Sequence, residues 1–187
     1  GQIRDFLKNG RSSAAPFALA HSGNGSISHL SGELLAAATG LRINPIPYRG
    51  SAPALTDVVA GQVAGHFATM ASGSALLAGG KLSALVVTGS ARLPGLSDVP
   101  TAREAGIAGM QFNQWWALVA PATTPIEIVE RLRKEALAAL AHPSTRERLT
   151  TLGINLKGSS RDELRTFMRN EVEQWGEIVR KAGIRPE

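Results

Sequence analysis

The chain has 187 residues, which is enough for one ordinary domain or for one large domain and part of another. Hydrophobic residues make up 43% and charged residues 19%, a composition typical of soluble globular proteins that argues against intrinsic disorder. The net charge is +5, but no block of like charge occurs, so a basic arm or tail is excluded. Cysteine is absent, which excludes a disulfide framework and a thiolate nucleophile.

The first two thirds of the chain alternate short apolar runs with helix-like stretches. Helices are predicted from Ser26 to Thr39, with Gly40 as a stop, from Ser51 to Ala60, and as a short turn at Ser74–Leu77. This alternation predicts an α/β fold built from βαβ units around a mostly parallel sheet. The strands that we expect are Ala15–His21, Ile43–Tyr48, Gly65–Met70, Leu82–Thr88 and Gln111–Val119.

The C-terminal part is predicted to be helical, because three Ser/Thr-x-x-Glu capping boxes follow one another. They begin at Thr124, Ser144 and Ser160, and Pro125 is expected at the first helical position. The last helix is predicted to run to Ala182, with Gly183 as its stop. Its inner face is apolar and needs a partner surface; it comprises Leu164, Phe167, Met168, Val172, Trp175, Ile178 and Val179.

The most informative segment is the loop that leaves the first strand and enters the first long helix, Ser22-Gly23-Asn24-Gly25-Ser26. The first N–H groups of a helix are unpaired and its dipole is positive there, so such a loop favours an anion. The glycines permit close backbone approach to a ligand, and the serines add hydroxyl donors. The spacing matches neither a dinucleotide-binding motif nor a P-loop. A turn that merely caps the helix is the alternative interpretation.

A second loop repeats this arrangement after the second strand, with Tyr48, Arg49 and Gly50 leading into Ser51 and Ala52. Two helix N-termini at the carboxyl ends of neighbouring parallel strands converge on one crevice, which is where open α/β sheets bind ligands. The pair of loops therefore predicts a single anion-binding cleft.

Catalytic, metal and cofactor sites are not predicted. The histidines His21, His29, His66 and His142 lack a metal-ligand spacing, and no nucleophile elbow or hydrolytic triad can be built. We expect His66 to be a packed core residue and His142 to lie on the surface. His29 is expected either to face the cleft or to serve as a core or hydrogen-bonding support. The pair Trp115-Trp116 is expected to serve packing or a hinge rather than to stack on a ligand.

Six segments, in order along the chain, resemble the substrate-binding receptors of tripartite tricarboxylate transporters, the Bug family. They are residues 22–30, 47–55, 61–63, 80–85, 98–106 and Trp115 followed by 120–125. The resemblance extends over essentially the whole chain.

This resemblance implies a periplasmic binding protein of the two-lobed type II kind. Residues 1–15 would form a helix of the split lobe and a crossover, and residues 16–115 the continuous ligand-binding lobe. Residues 116–187 would form the return crossover and the C-terminal helices of the split lobe, which would be incomplete here. No signal peptide is visible, and we expect the sequence to lack the N-terminal third of such a receptor.

The resemblance also implies a ligand class, because the family binds mostly small carboxylic acids through backbone N–H groups, hydroxyls and waters. Ala68 stands where family members often carry an aspartate that would pair with a ligand amine, so a plain carboxylate is expected rather than an amino acid. Arg49 replaces a commoner lysine and keeps its charge. The expected ligand-binding residues are Ser22, Gly23, Asn24, Gly25, Ser26, His29, Tyr48, Arg49, Gly50, Ser51, Ala52 and Thr69.

The sequence therefore predicts a non-enzymatic periplasmic receptor that captures a small carboxylate by domain closure and delivers it to membrane transporter subunits. No cofactor, metal or nucleic acid is expected. The apolar faces of the truncated chain are expected to be covered by self-association or by rearrangement of the C-terminal helices onto the remaining lobe. The alternative is the effector-binding domain of a LysR-type transcriptional regulator, which shares the two-lobed architecture. An enzyme on the same scaffold is a weaker third possibility.

Overall fold

The computed structural model describes residues 2–182. A short 3-10 turn at Pro94–Leu96 interrupts the long irregular segment between the fourth and fifth helices. The elements are α1 (Gln2–Ser12), β1 (Phe17–His21), α2 (Ile27–Thr39), β2 (Ile43–Pro47), α3 (Ser51–Val59), β3 (Gly65–His66), α4 (Met70–Ala78), α5 (Ile126–Ala141), α6 (Pro143–Thr151) and α7 (Arg161–Ala182).

The strands form one parallel sheet in the order β2-β1-β3, so that β1 lies in its centre. Phe17 is opposite Ile43 at the start of the first pair, and Ala20 is opposite His66 at the end of the second. Because α2 connects β1 to β2 and α3 connects β2 to β3, the predicted βαβ units are confirmed. The carboxyl ends of all three strands consequently lie at the same edge of the sheet.

Helix α2 begins and ends where its sequence predicts. The hydroxyl of Ser26 accepts a hydrogen bond from the N–H of His29 at 3.3 Å, as an N-cap should. Gly40 closes the helix in the left-handed conformation at φ 70°, and its N–H donates to the carbonyl of Ala36.

The third predicted strand is shorter than expected. Its ladder ends at His66, and the predicted residues up to Met70 turn away into α4, for which Thr69 is the N-cap. The helix therefore extends well beyond the predicted turn at Ser74–Leu77. A short apolar stretch fits a strand or a buried helix equally well, and the Thr69 cap is what separates the two here.

The fourth predicted strand, Leu82–Thr88, is not a regular strand. Its ladder is a single parallel bridge between Val87 and Thr101. Leu85 and Val86 nevertheless pack against the core. The prediction was wrong because an apolar run indicates burial, whereas a strand also needs a neighbouring backbone edge.

The fifth predicted strand, Gln111–Val119, is also wrong. The N–H of Phe112 donates a hydrogen bond to the carbonyl of Thr88 at 2.9 Å. Residues 111–119 nevertheless form no strand with any part of the described chain, residues 2–182. Leu118 and Val119 are exposed, so this apolar run lies on the surface.

Of the three predicted capping boxes, one forms as expected. The N–H of Ser160 donates to Glu163 Oε2 at 2.7 Å, and the N–H of Glu163 donates back to Ser160 Oγ at 3.3 Å. Helix α5 instead begins after Pro125, and α6 begins at Pro143 with His142 as its N-cap. Neither N-cap side chain accepts a hydrogen bond from a first-turn N–H group. Proline at the entry sets the start of α6 before Ser144 can cap it. The predicted stop at Gly183 lies outside the described residues.

Contacts between Cα atoms divide the chain into two compact units. The first comprises residues 2–114 together with 170–182, and the second is Trp115–Arg169. The core of the first unit joins α1 to the sheet and to the segment after Val87; its buried members are Ile3, Leu19, Leu35, Leu41, Ala102, Ile107 and Met110. In this unit Phe112 also makes an edge-to-face contact with Trp175 at 5.2 Å between ring centroids.

The second unit has a different character, because none of its residues, all of them described, is buried. Trp115 and Phe167 form an edge-to-face pair at 5.3 Å, and α5 packs against α6. The exposed large hydrophobic side chains of this unit are Trp115, Trp116, Leu118, Val119, Ile126, Ile128, Leu132, Phe167 and Met168. An apolar surface of this kind is typical of an interaction or domain-packing face.

Candidate functional site

The candidate site lies at the carboxyl edge of the sheet in the first unit, where three helices begin. Helix α2 follows β1, α3 follows β2 and α4 follows β3, each after a short loop. The positive ends of the three helix dipoles and their first-turn N–H groups therefore meet along one edge. The sequence predicts two such helix starts, and the structure adds that of α4.

The loop before α2 is organised around the hydroxyl of Ser28, a buried residue. The sequence indicated Ser28 as a hydroxyl donor for a ligand, whereas the structure shows its hydroxyl bonded within the loop. This oxygen accepts the N–H of Ser22 at 3.0 Å and lies 3.0 Å from the hydroxyls of both Ser22 and Ser26. The N–H of Ser26 also donates to the carbonyl of Gly23 at 3.1 Å. The predicted site residues Ser22, Gly23 and Ser26 are thus held in one network.

The two glycines of this loop take conformations that other residues rarely adopt. Gly23 has φ 131° and Gly25 has φ 69°. The N–H of Gly25 donates to Nδ1 of His29 at 3.2 Å, so the predicted site residue His29 supports the loop from the first turn of α2. Asn24 is exposed at the tip of the loop.

His29 also faces a second histidine and a carboxylate. Its ring stacks on that of His21 with 4.2 Å between centroids, and its Nε2 lies 3.9 Å from Glu33 Oε1. Burial lowers the pKa of His29, and His21 lowers it further, whereas Glu33 acts in the opposite direction. Since Nδ1 accepts a hydrogen bond from Gly25, the neutral ring carries its proton on Nε2, toward Glu33.

The loop before α3 leaves its helix start without a side-chain cap. Gly50 is the N-cap at φ 109° and ψ 174°, a conformation restricted to glycine, and it supplies no side chain to the first-turn N–H groups. Those groups include the N–H groups of Ser51 and Ala52, which remain available to a ligand. Arg49 is exposed beside them.

Tyr48 is a predicted site residue whose hydroxyl is hydrogen-bonded within the protein. Its hydroxyl donates to Asp57 Oδ2 on α3 at 2.6 Å, and this bond raises the pKa of Tyr48. The side chain therefore ties the end of β2 to α3, and its hydroxyl is directed at Asp57 rather than at the loops.

His66 is a residue that the sequence placed in the core, and the structure gives it a place in the site. Its Nδ1 lies 2.9 Å from the carbonyl of Ala20, and its Nε2 lies 3.2 Å from the hydroxyl of Ser51. The ring is only partly buried. The sequence signal that could have indicated this position is that His66 is the last residue of β3, because residues at the carboxyl ends of parallel strands lie at the ligand-binding edge of the sheet.

Thr69 closes this edge at the start of α4. Its hydroxyl accepts from the N–H of Ser72 at 3.3 Å and lies 3.1 Å from the hydroxyl of Ser72. The predicted site residue is thus an N-cap, and Ala68 before it offers no charge to the cleft. The site therefore offers hydroxyls, N–H groups and imidazoles, which suit an anion.

Three further observations concern the described residues. No three His, Asp or Glu side chains in the described part of the chain converge in a way that could hold a metal ion. A cavity of about 550 Å³ lies away from the loops, at the C-terminal end of α2, where Arg4, Lys8 and Arg11 line it. Within residues 2–182, no helix has both the length and the apolar character needed to cross a membrane.

Comparison with protein families and curated proteins gives a consistent result. The family model described as tripartite tricarboxylate transporter family receptor matches residues 2–184. A UPF0065 protein from a Pseudomonas species is 35% identical over 178 residues, which is 95% of this chain and 53% of that protein. BugT of Bordetella pertussis is 32% identical over 161 residues, 86% of this chain and 49% of BugT. The chain spans about half the length of these relatives.

Solved structures agree closely with the fold. Rpa4515 of R. palustris with adipate has a TM-score of 0.91 at 33% identity, covering 100% of this chain and 62% of that one. The periplasmic binding protein BugD has a TM-score of 0.90 at 32% identity, covering 99% and 62%. MatC from Rhodopseudomonas palustris with bound malate has a TM-score of 0.86 at 33% identity, covering 95% and 62%. The predicted α/β fold of a periplasmic binding protein is confirmed.

Proposed function

The chain belongs to the tripartite tricarboxylate transporter receptor family, and on that premise we propose that it is the ligand-binding part of a receptor for a small carboxylate. The observation that carries the proposal is the convergence of three helix starts on the carboxyl edge of one parallel sheet. Such an edge stabilises an anion through N–H groups and helix dipoles. The family match favours this function over the effector domain of a LysR-type regulator.

The proposed ligand is a short dicarboxylate. Two related structures hold adipate and malate, which share two carboxylates on a short aliphatic chain. Ala68 and Thr69 place no carboxylate at the start of α4, so this position offers no partner of that kind for a ligand ammonium group. We therefore expect selectivity for dicarboxylates over amino acids.

The proposed binding residues divide between the loops. The loop before α2, Ser22 to Ser26 with His29 behind it, binds one end of the ligand through hydroxyl and N–H donors. Gly50, Ser51 and Ala52 bind through the uncapped start of α3, with the charge of Arg49 nearby. Thr69 contributes its hydroxyl from the start of α4, and Tyr48 positions α3 through Asp57.

The family consists of receptors, and for this chain we propose a non-enzymatic role with no cofactor. Its relatives include periplasmic binding proteins, and we propose the same compartment here. The loaded receptor would then deliver its ligand to membrane transporter subunits. Nothing in the proposed site calls for a nucleic acid.

The architecture of the complete receptor is part of the proposal. Residues 16–115 would be the continuous lobe, whereas 1–15 and 116–187 would contribute to a second lobe that closes over the ligand. The exposed hydrophobic side chains of the second unit fit this idea, because a lobe completed by further chain would cover them. On its own, the 187-residue chain is expected to self-associate and to bind more than about a hundredfold more weakly, since losing two charged hydrogen bonds costs about 3 kcal/mol or more.

A thermal-shift series tests the function. The full-length gene product that carries these residues is heated with adipate, malate, glutamate, aspartate or 1,6-diaminohexane. A ligand that binds only the folded state raises Tm with concentration, so at least one dicarboxylate should raise it. The amino acids should raise it less, and the diamine, which carries the opposite charge, should not. If no carboxylate raises Tm, the proposed function is wrong.

A further inference from the structure

His66 joins two strands and a helix at the centre of the candidate site. It is the last residue of β3, its Nδ1 lies 2.9 Å from the Ala20 carbonyl of β1, and its Nε2 lies 3.2 Å from Ser51 Oγ at the start of α3. A carbonyl oxygen can only accept a hydrogen bond, so Nδ1 must carry a proton. This fixes the tautomer of the ring and leaves Nε2 as the atom that can gain or lose a proton.

The state of Nε2 sets the direction of the Ser51 hydroxyl. When His66 is neutral, Nε2 is an acceptor, and Ser51 donates its single hydrogen to it. The oxygen of Ser51 then presents only lone pairs to a ligand, and these repel a carboxylate. When His66 is protonated, Nε2 donates to the Ser51 oxygen, and the hydroxyl hydrogen is free to point at the ligand.

We propose that His66 is a positioning residue that takes up a proton when a carboxylate binds and thereby turns the Ser51 hydroxyl from His66 toward the ligand. The proton comes from solvent and forms an N–H bond at Nε2, and no other covalent bond is made or broken. The inference rests on the proposed function, because it requires a carboxylate next to Ser51. It assigns a role to His66 and makes the affinity of the receptor depend on pH.

The surroundings of His66 favour its neutral form in the free protein. Burial lowers the pKa of His66, the hydrogen bond to Ala20 opposes this, and the nearby His21 lowers the pKa further. Beyond His21 lie His29 and its neighbour Glu33 on α2. On α3, Asp57 is engaged by the hydroxyl of Tyr48.

A bound carboxylate adds the missing negative charge at this place. An anion that accepts the Ser51 hydrogen favours the protonated ring, because the charged form gains both a partner and a hydrogen bond. The pKa of His66 is therefore higher in the complex than in the free protein. Affinity should be highest below the pKa of the free protein and fall by up to about tenfold per pH unit above it, until the pKa of the complex is reached.

Isothermal titration calorimetry in buffers of different ionisation enthalpy measures the protons taken up on binding. The full-length gene product is titrated with adipate and with malate at pH 6 to 8, where both carboxylates of each ligand are ionised. The wild type should take up as much as about one proton per ligand, with affinity falling as pH rises. His66→Asn should bind more weakly at pH 6 and take up almost none. His142→Asn, an exposed histidine between α5 and α6, is the matched control and should behave as the wild type does.

The outcomes separate this inference from the function on which it rests. If the wild type binds neither acid at any pH, the proposed function fails. If it binds without proton uptake, or if His66→Asn retains the uptake, the function stands and the role of His66 is wrong. Ser51→Ala is the second variant, used if His66→Asn does not fold. Its proton uptake should also disappear because it has no hydroxyl to turn, and undiminished uptake would overturn the inference.

Discussion

The imidazole rings of His21 and His29 stack with 4.2 Å between their centroids and 11° between their planes. The stack joins the last residue of β1 to the first turn of α2, on either side of the loop that the sequence singled out. Nδ1 of His21 is 2.9 Å from the carbonyl of Gly23, and Nδ1 of His29 accepts the N–H of Gly25 at 3.2 Å. The pair therefore holds both ends of the loop.

The stack predicts that the protein loses stability in mild acid. Because the pKa of His29 is lower in the folded than in the unfolded state, the unfolded state binds more protons, and stability rises with pH. This contribution is complete above pH 6.5, the unperturbed value, and is lost as pH falls from there toward the lowered pKa. Urea unfolding between pH 7.5 and 5 should show the loss. His29→Gln should reduce it and His142→Gln should not; an equal loss in both variants would contradict this account.

Ser28 is expected to matter more for stability than its neighbours in the loop. Its hydroxyl is buried and accepts the N–H of Ser22, so Ser28→Ala leaves that N–H without a partner. The expected loss is about 1–3 kcal/mol in the free energy of unfolding. Chemical denaturation measures it, and Ser90→Ala at an exposed serine is the control, with a change within about 0.5 kcal/mol. Equal effects would show that the Ser28 network does not support the loop.

The predicted capping boxes allow a comparison between a box that forms a side-chain cap in the structure and one that does not. Ser160→Ala removes a formed cap and should reduce the free energy of unfolding by about 1 kcal/mol. Ser144→Ala, in the same Ser-x-x-Glu pattern, removes no cap from α6 but only an exposed hydrogen bond to His142. It should change the free energy of unfolding by less than about 0.5 kcal/mol. Urea titrations of the two variants compare them directly. A larger loss in Ser144→Ala would mean that the helix starts were placed wrongly.

The hydrogen bonds of Glu104 predict that the stability of the protein also depends on pH in a second, more acidic range. Its carboxylate binds Arg92 at 2.9 Å and accepts the N–H of Thr101 at 2.8 Å, and these bonds lower its pKa from 4.5 to about 2. The resulting stability is present above pH 4.5 and is lost as pH falls through about 2. Glu104→Gln should therefore be less stable than the wild type at pH 6, by a margin that shrinks toward pH 2. A margin that does not change with pH would contradict this assignment.

The sequence predicted the parts of the fold that local chemistry determines. Ser26 and Gly40 set the ends of α2, and the Gly/Ser loops set the entries to α2 and α3, because caps and positive φ angles are properties of single residues. The segment around Glu104 contributed to the family resemblance, and its role in the structure is a hydrogen-bonded turn. It indicates the family without being part of the site.

The elements that were predicted wrongly depend on contacts with residues far away in the sequence. The apolar runs at Leu82–Thr88 and Gln111–Val119 have the composition of strands, but a strand forms only where another backbone edge lies beside it. The contacts of His66 could not be predicted for a similar reason. Its contacts with Ala20 and Ser51 bridge 46 and 15 positions of sequence, and no local pattern indicates them.

Titration of the full-length gene product and of two glycine variants with adipate and malate measures whether the start of α3 binds a dicarboxylate. Gly50 adopts φ 109° at the uncapped start of α3, so Gly50→Ala must shift the N–H groups that are proposed to bind the carboxylate. Gly95→Ala adds the same methyl group at a glycine that is not among those with positive φ; as at Gly50, nothing lies within 4 Å of the added methyl. The account predicts saturable binding of a dicarboxylate by the wild type and by Gly95→Ala, and binding at least about tenfold weaker, or about 1.4 kcal/mol, for Gly50→Ala. A wild type that binds no carboxylate, or a Gly50→Ala variant with undiminished affinity, would contradict it.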